Sequence, residues 1–340
     1  MERVYSAEIN DCMIVIAAKD EIYTGVLRKS GKECFRESHE NLEILKAKLH
    51  NEAGRLHPNY IGIDGAIKRF KQFFPLGFSD PFYKYKERNY KDEVVRRVSG
   101  LSVFALQNKL ASQEAVLRHV LASESDVDDP IKYKSAVKKL DDEINKLKMS
   151  IETVAPPEQW SLSPSDITIN LLSSFENARL YEMLSQGNRT AFFEGVNTLI
   201  LESRKASPDY ATSLKVIEDA IKPYGRATWP LVTIMPFLWG PSEFGNEAAE
   251  TMFLKPVATK DYADRVGHEF AHRYMADINS DTYETLLDLA EWTQRAIGEL
   301  EPQDKIDVQS FIWVVGNYKD ADLTEAEEYR ASNARHYTKI

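Results

Sequence analysis

Five consecutive residues, His268-Glu269-Phe270-Ala271-His272, form the sharpest chemical pattern in this chain. Histidines four apart on a helix face one side and can share a zinc ion, while the glutamate between them can activate a bound water. Glu291 follows nineteen positions after His272. A zinc-dependent peptidase could therefore use His268, His272 and Glu291 as ligands and Glu269 as general base. Two neighbours oppose this. Gly267 stands where the helix over 260–266 needs a left-handed terminal residue, and Arg273 puts a charge directly after the second histidine. The expectation is that 268–272 follow a connecting or extended path and hold no zinc, since on an extended path a rise of ~3.3 Å per residue separates the two imidazoles too far for one ion. The zinc peptidase is the alternative.

A second constellation runs from Phe73 to Lys91, FFPLGFSDPFYKYKERNYK. Residues 61–100 carry nine Lys/Arg against five Asp/Glu, a locally basic stretch in a chain of net charge −10. Tyr83, Arg88, Tyr90 and Lys91 could neutralise phosphates and stack on bases. Equally, Glu87 and Lys91 could pair on a helix surface while the aromatics pack a corner. Third, Lys255 is set between Phe253-Leu254 and Pro256, and Asp307 and Gln309 lead into the apolar run 310–315. Polar groups in such surroundings need partners. A Lys255–Asp307 ion pair is the structural expectation, and a small-molecule pocket is the functional one.

The elements that must position these residues follow from periodicity and punctuation. Short strands are expected at Val4–Ile9, Met13–Ile16 and Ile22–Leu27, then a helix through Leu42, Leu45, Leu49 and Leu56 up to Pro58. A helix after Asp64 ends at Pro75, and Asp80-Pro81 caps another over Phe82–Val98. Val137, Leu140, Ile144, Leu147 and Ile151 step by three and four. They predict a continuous helix over 131–153, antiparallel to one over 102–122, with a turn at Asp128-Asp129. Prolines 156, 157 and 164 mark a boundary. Helices follow at Ile167–Leu184, Ala191–Arg204, Tyr210–Ile221, Thr259–Gly267 and Asp281–Leu300. Pro230 and Pro236 argue for an extended or kinked buried segment at Trp229–Trp239. Ile306–Val315 is open between strand and helix and should share a core with that segment. The tail from Asp320 reads as a peripheral or frayed helix.

The 340 residues can bury a substantial core, and the acidic balance confines any nucleic-acid contact to a local patch. Two cysteines, Cys12 and Cys34, exclude a disulfide scaffold or a four-cysteine zinc module. No long apolar run and no secretion signal are evident, so a soluble cytoplasmic protein without membrane association is expected. No Walker A loop, G-x-G-x-x-G or G-x-S-x-G occurs.

The Phe73–Lys91 block, together with ATWPLVTIMPFLWG, MFLKPVATKDYADRVG and DKIDVQSFIWVVG, resembles a group of uncharacterised bacterial proteins over about Ile61–Gly316. The resemblance implies a shared fold and no particular activity. The group does not usually have H-E-x-x-H after the glycine matching Gly267, so this chain departs there, as it does in its insert at 245–250. The expected architecture is mainly α (α+β), divided into a small β module at 1–35, a helical region with an antiparallel coiled-coil hairpin at 36–155, and a helical C-terminal region at 156–340. The expected function is binding or assembly, with a protein partner or self-association. Nucleic acid is a further partner through the basic patch, in a nucleic-acid-processing or defence setting. Tyr83, Arg88, Tyr90, Lys91, Lys255, Asp307 and Gln309 are the candidate binding residues, with no cofactor unless zinc is held.

Overall fold

The computed structural model describes residues 2–9, 11–99, 103–122, 130–154, 171–185, 187–239 and 251–333. It is mainly helical, with a small N-terminal antiparallel sheet. The expected turn at Asp128-Asp129, the proline boundary at 156–164, the start of the helix at Ile167 and the insert at 245–250 lie outside the described residues.

Four strands, β1 (Glu2–Ile9), β2 (Cys12–Lys19), β3 (Ile22–Lys29) and β4 (Lys32–His39), pair in sequential order. Two-residue turns close the second and third hairpins with positive φ at Asp20 and Glu21, and at Ser30 and Gly31. This is the backbone twist that two-residue hairpins require. Strand β4, KECFRESH, was not anticipated. Its side chains are nearly all polar, so the alternation of partly covered and exposed positions has no hydrophobic signature.

The sheet is too small to hold a core alone. Helix α1 (Leu42–Arg55), capped by Asn41, lays Leu45, Leu49 and Ala53 on Ile14, Ile16 and Leu27. Gly25 in mid-strand allows this approach, because a Cβ there would stand 2.3 Å from Leu49 Cδ1.

A second, larger core lies in the helical body. The helices of that body are α2 (Gly62–Phe73), α3 (Asn89–Ser99), α4 (Val103–Ala122), α5 (Pro130–Thr153), α6 (Ser174–Ser185), α7 (Arg189–Glu202), α8 (Tyr210–Ile221) and α9 (Trp229–Trp239), of which α4 and α5 contribute no described residue to this core. They are followed by α10 (Pro256–Val266), the single turn α11 (Phe270–Arg273), α12 (Ser280–Ala296), α13 (Lys305–Asn317) and α14 (Asp320–Ser332). Asp80 accepts from Phe82 N at 2.8 Å, opening a helical turn at Pro81–Tyr83 that runs through a π-helical turn, Lys84–Arg88, into α3. Hairpin α4/α5 forms as the three-four spacing predicts, and Ile144 is its most buried seam residue in α5.

One expectation needs correction. Trp229–Trp239 is a wholly buried helix, neither extended nor broken. Pro230 sits in the first turn, where no N–H is required, and Pro236 falls in the last. Ile306–Val315 resolves as helix α13 and shares the large core with α9, as expected. Helices α10 and α13 cross so closely at Gly316 that a Cβ would lie 2.0 Å from Ala258 O. Gly316→Ala should therefore destabilise the fold by at least about 2 kcal/mol in denaturant titration, since backbone must move to admit the methyl group. A change under about 0.5 kcal/mol would refute this crossing.

Candidate functional site

The residues singled out for their chemistry converge on one buried layer between α13 and the Pro81–Ser99 segment. Asp304 caps α13, accepting from Ile306 N at 2.9 Å and Asp307 N at 3.1 Å. Its carboxylate also takes Arg88 Nη1 at 2.8 Å and Nη2 at 2.5 Å, a bidentate fork. Arg88 Nη1 reaches Asp307 Oδ1 at 2.9 Å, and the Tyr83 hydroxyl donates to the same oxygen at 2.5 Å. Burial, reinforced by the Asp307 charge, raises the Tyr83 pKa well above its ordinary value, so the phenol stays protonated.

One turn further on, Lys91 spends its three protons on Glu87 Oε2 (2.9 Å), Gln309 Oε1 (3.0 Å) and Ser310 Oγ (2.7 Å). Tyr318 donates to the other Glu87 oxygen at 2.5 Å. The Lys91 side chain is 1% exposed and that of Glu87 5%.

These placements overturn three expectations. Arg88 and Lys91 are not a phosphate-binding surface, because their donors are committed to protein acceptors in the interior; Tyr83 is equally buried. Glu87–Lys91 is a core ion pair. Lys255 does not pair with Asp307, which Arg88 and Tyr83 occupy. Four of the seven candidates, Tyr90, Lys91, Lys255 and Gln309, instead line one cavity of about 60 Å³ with Leu171 and Trp313. Sequence reasoning passed over Glu87 as a buried group, and over Asp304. Asp304, three positions before Asp307, carried a signal as a helix cap.

The H-E-x-x-H residues are placed otherwise. Gly267 has φ +74° and ends α10, as its position in the sequence predicts. The chain then tightens into α11 and does not extend, because Glu269 already has helical dihedrals. His268 Nδ1 accepts from Phe270 N at 3.2 Å, which leaves the proton on Nε2 facing Asp288 Oδ2 at 3.1 Å. Neither nitrogen keeps a lone pair for a metal. Glu291 is exposed and pairs with Arg295. Among the described residues no three His, Cys, Asp or Glu side chains converge as metal ligands. The residues present do not fit the zinc site.

A cleft of about 340 Å³ opens beside them, between α1 and α12. His50 of α1 and His272 of α11 face each other with ring centroids 5.6 Å apart. His50 Nε2 lies 2.8 Å from the Tyr5 hydroxyl, while His50 Nδ1 and His272 Nε2 are buried without partners. Burial holds the His50 pKa below its ordinary value. Burial and then the neighbouring His50 push His272 down to about 4.

Comparison with known proteins yields no match to any family model, curated protein or solved structure.

Two outcomes follow from this geometry. Arg88→Ala should cost about 3–5 kcal/mol in chemical unfolding, because Asp304 and Asp307 would keep buried charges without a cation; a cost under about 1 kcal/mol would contradict the network. The histidine pair gives a pH dependence. With folded pKa values below the unfolded 6.5, the unfolded chain binds more protons as pH falls toward 4. The stability contributed by neutral His50 and His272 is therefore intact above about 6.5 and lost through that window. Denaturation midpoints measured from neutral to mildly acid pH should fall less steeply in His272→Phe, and an unaltered slope would sink the assignment.

Proposed function

We propose that this is a cytoplasmic binding or assembly protein, and that the α4/α5 hairpin is its engaging element. No described helix is long and apolar enough to cross a membrane. Cys12 and Cys34 are both free thiols, as a reducing compartment favours.

The observation that carries the proposal is the incomplete burial of the hairpin. In α4 the apolar residues are spread around the helix and do not follow one stripe, a pattern normal for a helix covered on more than one side. Its main packing partner in the described structure is α5. Val103, Val116 and Leu121 of α4 remain exposed, with Ile131 and Met149 of α5. The α5 seam alternates β-branched Val137, Ile144 and Ile151 with Leu140 and Leu147, a coiled-coil pattern. Val137, Leu140, Leu147 and Ile151 are only half-buried by the one partner helix. A second hairpin packing alongside to form a four-helix bundle would cover these residues, so a second copy of the chain is the favoured partner.

The nucleic-acid-processing or defence setting has less support. Arg88 and Lys91, the basic residues that suggested it, are spent on internal pairs, and a nucleic-acid partner would need other residues.

Sedimentation of the full chain should reveal a concentration-dependent dimer, and Val116→Lys with Leu121→Lys should return it to monomer without loss of helical circular dichroism. A wild-type chain that stays monomeric at every accessible concentration would refute self-association. Mobility-shift assays with DNA and RNA at low salt form the second arm, with no retardation expected.

A further inference from the structure

We propose that the cavity between α3, α13 and the start of α10 binds a small oxyanion, a phosphate-, sulfate- or carboxylate-sized group. The inference is independent of the hairpin and of any oligomeric state.

The lining is rich in donors. Tyr90 from α3, Gln309 and Trp313 one turn apart on α13, and Lys255 immediately before α10 surround about 60 Å³. Gln309 Oε1 is occupied by Lys91, so its amide NH2 is the end still available. Lys91 contributes charge but no free proton, because all three are bonded. The Lys255 ammonium, the Tyr90 hydroxyl and the Trp313 indole N–H have no hydrogen-bond acceptor among the described residues. A tyrosine hydroxyl can accept as well as donate; the ammonium, indole and amide NH2 cannot.

Charge points the same way. Lys255 is half-buried and has no ion pair among the described residues; its contact is the Phe253 ring, 5.9 Å from Nζ to centroid. Burial lowers its pKa, and among the described residues Glu176 acts in the other direction. Glu176 is already engaged, its carboxylate accepting from Thr228 Oγ1 at 2.8 Å and Ser173 Oγ at 2.8 Å. A half-buried cation without a counter-ion bears part of the cost of desolvation, and an anion in the cavity would relieve it. About 60 Å³ is well below the few hundred Å³ typical of nucleotide- or drug-sized sites, so the occupant is a single anionic group.

The test uses the full chain with inorganic phosphate, sulfate, acetate and chloride at constant ionic strength, read by calorimetric titration and melting temperature. At least one of the three oxyanions should bind saturably at one per chain and raise the melting temperature, with chloride much weaker. Lys255→Met should weaken that binding by about tenfold or more, the loss expected for a charge-assisted contact. Trp313→Phe should weaken it less, by the loss of one neutral donor. Lys205→Met, on the distant surface, should leave it unchanged. Without added anion Lys255→Met should melt at or above the wild-type temperature, because it removes an uncompensated charge; a purely structural lysine would give the opposite shift. Absence of saturable oxyanion binding, equal binding by Lys255→Met, or chloride matching the best oxyanion would each overturn the proposal.

Discussion

Burial of helix α13 is the constraint on which the rest of the structure depends. Nearly every residue from Lys305 to Gly316 is buried, including Asp307, Gln309 and Ser310. A helix apolar on all sides with carboxylates at its start can sit in a core only if cations are delivered to it. The Pro81–Ser99 segment delivers them. Arg88 closes on the capping carboxylate Asp304 and on Asp307, and Lys91, one turn later, reaches Gln309 and Ser310. The π-helical turn at Lys84–Arg88 lies within this stretch, a distortion often found where side chains must meet a specific partner. Phe70, Phe74, Phe78 and Tyr83 then pack as an aromatic wall around the same junction.

Such a layer also explains which parts of the sequence were legible. Elements with one wet face announced themselves: α1, α2, α5 and α12 follow their three-four spacing, and Asp80-Pro81 and Gly267 punctuate the chain where capping rules place them. Elements with no wet face did not. The all-apolar α9 has no stripe, so its prolines dominated the sequence reading although both lie near helix ends, where they are tolerated. Strand β4 failed for the opposite reason, being polar on both faces. The candidate site was half legible. Arg88, Lys91, Asp307 and Gln309 were recognisable as polar residues needing partners, yet the pairings span more than two hundred positions, with Lys91 and Gln309 218 apart. No local pattern encodes such pairings. Choosing Lys255 for Asp307 followed from the apolar surroundings of both residues and missed the better geometric match, a forked guanidinium between two carboxylates.

The N-terminal sheet and α1 have their own core, and what joins them to the helical body is a narrower set of contacts. Ile61 N donates to Arg265 O at 2.8 Å, and Gly54 passes so near Gly267 that a Cβ would stand 2.8 Å from its Cα. Two glycines in different elements let the backbones touch. Around them the seam is polar: the cleft carries Asn51, Arg55, Glu269 and Asp288, and His50 of α1 meets His272 of α11 with unpartnered nitrogens on both rings. H-E-x-x-H is therefore a coincidence of spacing whose members do separate work. His268 orients Asp288, Glu269 pairs with Arg273 at 3.1 Å, and His272 meets the module.

Set side by side, the two polar regions of the molecule differ in how far their groups are satisfied. In the α13 layer Arg88 and Lys91 give their protons to protein acceptors, the condition under which a buried network rigidifies a core. A few ångströms away, across Gln309, satisfaction ends: the same side chain that receives the Lys91 proton presents an amide next to Lys255, Tyr90 and Trp313, where the described structure supplies no acceptor. Donors in a cavity that have no protein acceptor stay open to one from outside. The completed network next door holds α3 and α13 fixed. Their donors therefore cannot relax toward one another, and the deficit stays in the cavity, where an anion can meet it.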